Sequence, residues 1–283
     1  MLKTLNFHKD LKRYTLALNT LEILKKHTPL FRDVIMETDK SVQTLFRTLL
    51  LTCRHSNKQL YRAGLQTIDV VMDEIAKCIS IQGTKKSNVF RWLLVTLSGL
   101  IEDSSSSRNI IVGISGCGHL ASSIASLAPK HLVPITRRLI KFASRLESRA
   151  KEEREQENID EQQENNWFAR AERRKDIIMN RARFLSTISS LVLEMKEDPP
   201  SDITRAIVET VQSLIVEFPD LYKGYRDFIC IAISRAYASL VDKSGSAMTT
   251  LLDQTIDHAL VRTCGVRAND ISRWNYFVVR GTR

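Results

Sequence analysis

The fold is decided by one stretch, Asn109-Ile-Ile-Val-Gly-Ile-Ser-Gly-Cys-Gly-His-Leu-Ala-Ser-Ser-Ile-Ala-Ser-Leu-Ala128, which contains no Asp, Glu, Lys or Arg. An uncharged run of about 20 residues is either a membrane span or a helix buried by its neighbours on most sides. Its serines, glycines and histidine favour burial in protein, because membrane insertion favours Leu, Ile, Phe and Val. Gly113, Gly116 and Gly118 each weaken a helix by about 1 kcal/mol but let a neighbouring helix approach closely. We therefore interpret the stretch as the inner helix of a stacked array.

The composition is that of a folded protein with a basic surface. Of the 283 residues, 43% are hydrophobic and 26% charged, which is enough for a sizeable core. The formal net charge of +10 attracts polyanions and suits nucleic acid, acidic proteins or anionic lipid alike. The five cysteines form no Cys-x-x-Cys pair, so we expect reduced, mostly buried thiols. The start of the chain has no apolar signal-peptide core, which favours the cytosol or nucleus over secretion.

Amphipathic helices follow one another along most of the chain. Apolar residues recur at helical spacing, and no stretch alternates with the period of two that a β-strand needs. Helix starts near Asp10, Lys58 and Arg108 are separated by roughly the forty to fifty residues expected of HEAT or armadillo units. The sequence therefore predicts an all-α fold, an α-solenoid of about five helix pairs.

One charged insertion and one irregular tail interrupt this pattern. Residues 147–176 are crowded with Glu, Gln, Asn, Arg and Lys and bury too little apolar surface to offset the entropy of ordering. We expect HEAT-like helix pairs over residues 1–146 and 177–262, a charged, mobile insertion over 147–176, and an irregular basic and aromatic tail over 263–283.

Several short motifs resemble catalytic or metal-binding sites but lack their context. Tyr225-Arg-Asp-Phe228 resembles a kinase catalytic loop, yet it lies in an amphipathic helix without the accompanying kinase motifs. Gly113-Ile-Ser-Gly-Cys117 departs from the Gly-x-Ser-x-Gly nucleophile motif at its last position. Cys117 and His119 are only two ligands and do not make a zinc site. We predict no catalytic residue, no cofactor, no metal and no small-molecule substrate.

Basic residues at helical spacing are the remaining candidates for a functional surface. The candidate nucleic-acid-binding residues are Arg137, Arg138, Lys141 and Arg145 in the helix after Pro134, and a smaller patch of Lys58 and Arg62. Each phosphate that such residues neutralise adds about 0.9 to the slope of log affinity against log salt concentration. A solvated helix face without a ligand is the alternative interpretation.

Three stretches carry a family resemblance. They are Asp10-Leu-Lys-Arg-Tyr14, Ile111-Val-Gly-Ile-Ser-Gly-Cys-Gly118 and Arg183-Phe-Leu-Ser-Thr-Ile-Ser-Ser-Leu-Val-Leu193. In this order they resemble the N-terminal helical arm of the DNA-dependent protein kinase catalytic subunits, in the phosphatidylinositol 3-kinase-related kinase family. Val261-Arg-Thr-Cys264 is similar to a further piece of that arm, and the tail after it departs from the family pattern.

The resemblance implies a fold, a location and partners. It implies a HEAT-repeat arm in a nuclear protein that joins broken DNA ends, with the Ku heterodimer and double-stranded DNA ends as partners. In that family the kinase domain lies far along a much longer chain, so this chain is expected to be a non-enzymatic segment. The composition of residues 109–128 separately leads us to expect no membrane partner. The alternative is a generic HEAT-repeat scaffold, such as part of a transport receptor or assembly platform, because solenoids bind many unrelated proteins.

Overall fold

The structure, a computed structural model, describes residues 11–55, 57–103, 107–143, 167–217 and 223–243. Within these ranges the chain is helical and contains no β-strand, which confirms the predicted all-α class. The helices before residue 130 are α1 (Leu11–Met36), α2 (Asp39–Cys53), α3 (Lys58–Gln82), α4 (Ser87–Glu102), α5 (Ser107–His119) and α6 (Ala121–Leu127). They are followed by α7 (residues 132–143), α8 (Trp167–Leu193), α9 (Ser201–Glu217) and α10 (Lys223–Lys243).

The chain divides into two compact units, Met1–Pro129 and Lys130–Arg283. In the first unit the helices lie in two layers. α1, α3 and α5 are neighbours in one layer, and α2 and α4 are neighbours in the other, with α2 packed on α3 and α4 packed on α5. Each helix therefore contacts elements close to it in the repeat order, which is the arrangement of a solenoid.

The repeat period is visible in the contacts between neighbouring helices. Tyr14 and His55 are 41 residues apart, and Arg54 and Asn109 are 55 apart. The helices of the first layer begin at Leu11, Lys58 and Ser107. These starts confirm the predicted period of roughly forty to fifty residues.

Local signals in the sequence explain where the helices begin. The Thr38 hydroxyl accepts a hydrogen bond from the Ser41 amide at 3.1 Å, at the start of α2. The Asn57 side chain accepts one from the Leu60 amide at 3.1 Å, at the start of α3. Ser, Thr, Asn and Asp are favoured at such positions because their oxygens satisfy amides that have no partner within the helix.

α5 is an inner helix, as the uncharged stretch predicted. Residues 109–117 are all buried. A Cβ on Gly113 would lie 2.7 Å from Ile101 Cγ1 and 2.9 Å from the Leu97 carbonyl oxygen, and one on Gly116 would overlap the Leu97 side chain. The glycines therefore let α5 lie directly against α4, at a separation that any larger residue would prevent.

The stretch is nevertheless not one straight helix. α5 ends at His119, and α6 begins at Ala121 after a bend of 61°. Beyond the bend, α6 packs on α3, with the Ser123 and Ser80 hydroxyls 3.4 Å apart. Glycine and serine weaken a helix, so packing on α3 decides the path of the chain here.

No single helix in the described ranges is long and apolar enough to cross a membrane. The bent α5–α6 pair meets that criterion by length and composition.

In the second unit α8 packs on both α9 and α10. Its core consists of aliphatic side chains from the three helices, among them Ile178, Leu185, Ile188, Val192, Ile207, Val211, Ile229 and Leu240. α8 begins at Trp167 and so includes residues 167–176, which the sequence analysis assigned to the mobile insertion. Alanine, arginine and glutamate are strong helix formers, which accounts for this longer helix. Residues 147–166 of the insertion, residues 244–262 of the second predicted helical stretch and the tail over 263–283 lie outside the described residues.

The close contact between α5 and α4 gives a first test. Replacing Gly113 by Ala should destabilise the protein by about 1–3 kcal/mol, because overpacking outweighs the gain in helix propensity. The free energy of unfolding in urea measures this. Gly99→Ala is the matched control, since a Cβ there meets no atom within 4 Å, and it should stabilise the protein by about 0.5–1 kcal/mol. A Gly113→Ala variant as stable as the wild type would contradict the close packing.

Candidate nucleic-acid interface

α1 and α3 run in the same direction within their layer. Near the start of α1, the Tyr14 hydroxyl lies 3.4 Å from Nε2 of His55, which is a few residues before α3. At the other end, Nζ of Lys86, just after α3, donates a hydrogen bond to the carbonyl of Met36, the last residue of α1, at 2.7 Å. The first turns of the two helices therefore lie at one edge of the layer.

α5 starts at the same edge. The Arg108 guanidinium, in the first turn of α5, donates a hydrogen bond to the His55 carbonyl before α3. Four basic residues at or near the ends of the loops lie at this edge. We call it the amino edge and define it by these residues: Arg54, Lys58, Arg62 and Arg108.

Two arginines of the amino edge are held in place by neutral groups. The Arg108 guanidinium lies over the Tyr61 ring, 4.6 Å from its centroid, in a cation–π contact. Arg54 Nε donates to Asn109 Oδ1 at 3.0 Å, and Asn109 Nδ2 in turn donates to Asp103 Oδ2 at 2.6 Å. These contacts fix the positions of the two guanidinium groups through a carbonyl, an aromatic ring and an amide, none of which carries a charge.

The amino edge places basic residues at helix starts. The N-terminus of a helix carries a partial positive charge, so acidic residues in the first turn are stabilising and basic ones destabilising. α1, α3 and α5 have no acidic residue in the first turn, and neither has α4, whereas α2 has Asp39 there. α3 instead begins with Lys58, and α5 has Arg108 as its second residue. The edge thus concentrates positive charge where helix stability alone would favour carboxylates.

The structure brings together two of the predicted residues and adds two others. Lys58 and Arg62 lie one turn apart at the start of α3 and belong to the amino edge. Arg54 and Arg108, which were not among the predicted residues, join them through contacts with His55 and Asn109. The signal that could have found them is their position at the predicted helix boundaries. Glu102 and Asp103, at the end of α4, are the acidic residues of the adjoining loop.

The second predicted group lies on α7 and is only partly described. Arg137 forms a two-pronged ion pair with Asp202 of α9, at 2.8 and 3.2 Å. This pairing raises the pKa of Arg137 and lowers that of Asp202. Arg138 and Lys141 are exposed, and Arg145 lies outside the described residues. A phosphate at this surface would compete with Asp202 for Arg137.

A second charged group, the His119 cluster, lies between α3 and α5. It consists of Asp69, Asp73, Glu74 and Lys77 of α3 with Ser115 and His119 of α5. His119 Nε2 is 3.7 Å from Asp69 Oδ1, and His119 Nδ1 is 3.9 Å from Asp73 Oδ1. Lys77 pairs with Asp73 at 2.7 Å. The cluster ties the end of α5 to the middle of α3.

The cluster holds its charges through mutual pairing. Although burial lowers the pKa of His119, its pairing with Asp69 and Asp73 raises that pKa to about 9. The interaction with His119 is the main cause that lowers the pKa of Asp73 to about 2, with Lys77 adding to it. His119 is therefore protonated at neutral pH, next to the negative C-terminal end of α5, where a cation is stabilising.

The geometry of the cluster does not match that of a hydrolase or a metal site. Ser115 donates its hydrogen bond to Asp69 Oδ1 at 2.6 Å, whereas a serine nucleophile needs a histidine base as its partner. Within the described ranges, no three or more His, Cys, Asp or Glu side chains are placed to hold a metal ion. The Tyr225-Arg-Asp-Phe228 motif lies inside α10. The surface with the clearest potential for ligands is thus the amino edge.

Paired helices in two layers, with contacts between repeat neighbours, define the chain as an α-solenoid. Residues 1–270 match the family described as "DNA-PKcs, N-terminal", so the chain belongs to that family. It is similar to the DNA-dependent protein kinase catalytic subunit of Gallus gallus, with 19% identity over 254 residues, and to that of Mus musculus, with 19% identity over 256 residues. These matches cover 89% and 90% of this chain but only 6% of each relative. The matched region is the N-terminal segment and not the kinase domain, which confirms the expectation of a non-catalytic segment.

The raised pKa of His119 gives a prediction about stability and pH. Because the pKa in the folded protein, about 9, lies above the ordinary value of 6.5, the stabilisation is fully present below pH 6.5 and is lost as the pH rises through 9. With 26% of the side chain exposed, we expect the loss to be on the order of 2 kcal/mol. Urea denaturation across this pH range measures it. His119→Asn should remove this pH dependence, and His27→Asn should retain it; an unchanged profile in His119→Asn would contradict the assignment.

Proposed function

We propose that this chain is a non-catalytic α-solenoid segment of a DNA-dependent protein kinase-like protein, and that it supplies surface for DNA ends and for the Ku heterodimer. Its place of action would be the nucleus, in double-strand break repair by non-homologous end joining. Membership of the DNA-PKcs N-terminal family supports this proposal, and the amino edge is the structural observation that carries it. The edge has the features expected of a surface that binds phosphates.

Phosphate binding would use the amino edge in two ways. The basic side chains Lys58 and Arg62 would pair with phosphate oxygens, while Arg54 and Arg108, held by their neighbours, would offer guanidinium groups already in position. The first turns of α3 and α5 add the positive ends of their helix dipoles. Such contacts recognise the DNA backbone and carry no base specificity, which suits a protein that must accept any broken end.

The α7 surface is the second candidate for DNA contact. Arg138, Lys141 and Arg145 remain proposed nucleic-acid-binding residues, together with Arg137 if a phosphate displaces Asp202. A generic protein-binding scaffold is the alternative function. The mixed charges of the His119 cluster favour it, because a surface that binds DNA along its whole length would be uniformly basic.

The salt dependence of DNA binding tests the amino edge. We expect the purified chain to bind a blunt-ended duplex, and the Lys58→Gln, Arg62→Gln double variant to bind it less tightly at low salt. The slope of log affinity against log salt concentration should fall by about 0.9 for each phosphate that the variant no longer neutralises. Fluorescence anisotropy of a labelled duplex measures both quantities.

The control removes the same charge from the opposite edge. Lys40 and Lys85 are exposed and lie at the start of α2 and after the end of α3. The Lys40→Gln, Lys85→Gln variant should leave the slope close to that of the wild type. Equal slopes in the two double variants would refute the amino edge as the DNA site.

The Arg138→Gln, Lys141→Gln variant tests the α7 surface in the same assay. If DNA loaded with Ku binds the chain no better than free DNA, direct recognition of Ku is excluded.

A further inference from the structure

The outer layer of the first unit exposes large apolar side chains on neighbouring helices. Leu51 of α2 is 55% exposed and Val95 of α4 is 73% exposed. Trp92, one turn before Val95, lies on the side of α4 that meets α2. Isolated exposed aliphatic residues are common, but grouped ones next to an aromatic residue mark interaction surfaces. We define the outer patch as Arg47, Leu51, Arg91, Trp92, Val95 and Gly99.

Contacts between α2 and α4 assemble this patch. The Trp92 ring meets the Phe46 ring edge to face, at 6.0 Å between centroids and 89° between planes. The Arg47 guanidinium lies over the same Trp92 ring, 5.8 Å from its centroid. The side chains of Arg47 and Trp92 are thus fixed before any partner arrives, which reduces the entropy lost on binding. Arginine and tryptophan are also the residues most often found at the energetic centre of protein interfaces.

The apolar members of the patch lie at the same level of the two helices. α2 and α4 run in the same direction, because Arg54 at the end of α2 reaches Asn109, which contacts Asp103 at the end of α4. The contact between the Phe46 and Trp92 rings fixes their register. Leu51 follows Arg47 by one turn, and Val95 follows Trp92 by one turn. Leu51 and Val95 therefore lie at a similar level of the two helices, one turn beyond the Arg47–Trp92 pair.

Gly99 is not needed for the packing of its own unit as far as the described residues are concerned. A Cβ on Gly99 would meet no atom within 4 Å, whereas a Cβ on Gly64, Gly113 or Gly116 would overlap a neighbouring helix. Glycine within a helix is less stable than alanine. An exposed glycine one turn after Val95, on the same face of α4, lowers helix stability without a benefit inside the unit. The open space beside Gly99 leaves the α4 backbone accessible from outside the unit.

The charge around the patch indicates the chemistry of that chain. The exposed face of α2 carries Lys40 and Arg47, and the exposed face of α4 carries Arg91. Glu102 at the end of α4 is the one acidic residue among the exposed positions of these two helices that the structure describes. Among the described residues, no carboxylate forms an ion pair with Arg47 or Arg91. Acidic groups on a partner would complement this charge.

We propose that the outer patch binds an acidic amphipathic helix of a partner protein. A large apolar side chain of that helix packs between Leu51 and Val95, a small residue lies against Gly99, and flanking carboxylates pair with Arg47 and Arg91. Duplex DNA does not fit this surface equally well, since phosphates next to Leu51, Trp92 and Val95 would lose water without gaining hydrogen bonds. This site is separate from the amino edge and does not depend on DNA binding there.

The test uses a displayed library of 16-residue amphipathic peptides with one apolar face and a polar face of either Glu and Asp or Lys and Arg. The full chain should enrich the acidic peptides. Synthetic copies of the enriched peptides should bind at least tenfold more weakly to the Leu51→Glu, Val95→Glu variant. The matched control is Ile81→Glu, at a residue of α3 that is 77% exposed, which should bind like the wild type.

Gly99→Ala separates a binding role from a structural one. This variant should melt at a higher temperature than the wild type and yet bind the acidic peptides at least threefold more weakly, a combination that a purely structural glycine would not give. Three results would each overturn the proposal. They are enrichment of basic peptides, equal affinity of the acidic peptides for the wild type and the Leu51→Glu, Val95→Glu variant, and displacement of the peptides by duplex DNA. The Lys58→Gln, Arg62→Gln variant should bind the peptides normally, so failure at the amino edge and failure at the outer patch are distinguishable.

Discussion

The contact between α4 and α5 is the constraint on which the first unit depends. Gly113 and Gly116 leave no space for a Cβ against Leu97 and Ile101, so the two helices lie at their minimum separation. A helix this close to its neighbour is shielded from water, which is why residues 109–117 are buried and uncharged. With α5 held against α4, its other side lies beside α3. Both charged groups of this layer, the amino edge and the His119 cluster, form where α5 and α3 meet.

Much of this fold follows from local patterns in the sequence, and the exceptions have physical causes of their own. The helix starts near Lys58 and Arg108 could be predicted because caps and apolar periodicity act within one helix. The bend at Leu120 could not, since it depends on α6 returning to α3, which the structure shows through the pair Ser80 and Ser123. The start of α8 at Trp167 could not be predicted for another reason. Charge-rich composition indicates exposure to water, but it does not distinguish an exposed helix from a loop.

The candidate site was predictable only in part, because charge pairs form between repeats. Lys58 and Arg62 are neighbours on one helix face, so their spacing is visible in the sequence. Arg108 joins them through a residue 53 positions away, and the pairing of Arg137 spans 65 positions to Asp202. Tertiary packing therefore decides which basic side chains are neutralised within the protein and which remain available to a ligand. The number of charged residues follows from the sequence, whereas the pairing of their charges follows from the fold.

The arrangement of charges in the His119 cluster differs from that at the amino edge. Between α3 and α5, His119 pairs with Asp69 and Asp73, and Lys77 pairs with Asp73, so these charges satisfy one another and hold α5 to α3. At the amino edge the opposite holds: Lys58 and Arg108 are at helix starts without acidic residues in those first turns, a placement that disfavours the helices themselves. Gly99 is a comparable case, a residue that weakens α4 without filling any need of its packing. Strained or destabilising positions often cluster at functional sites, and for this reason the proposed DNA contact is placed at the helix starts and the proposed helix-binding patch on the outer face.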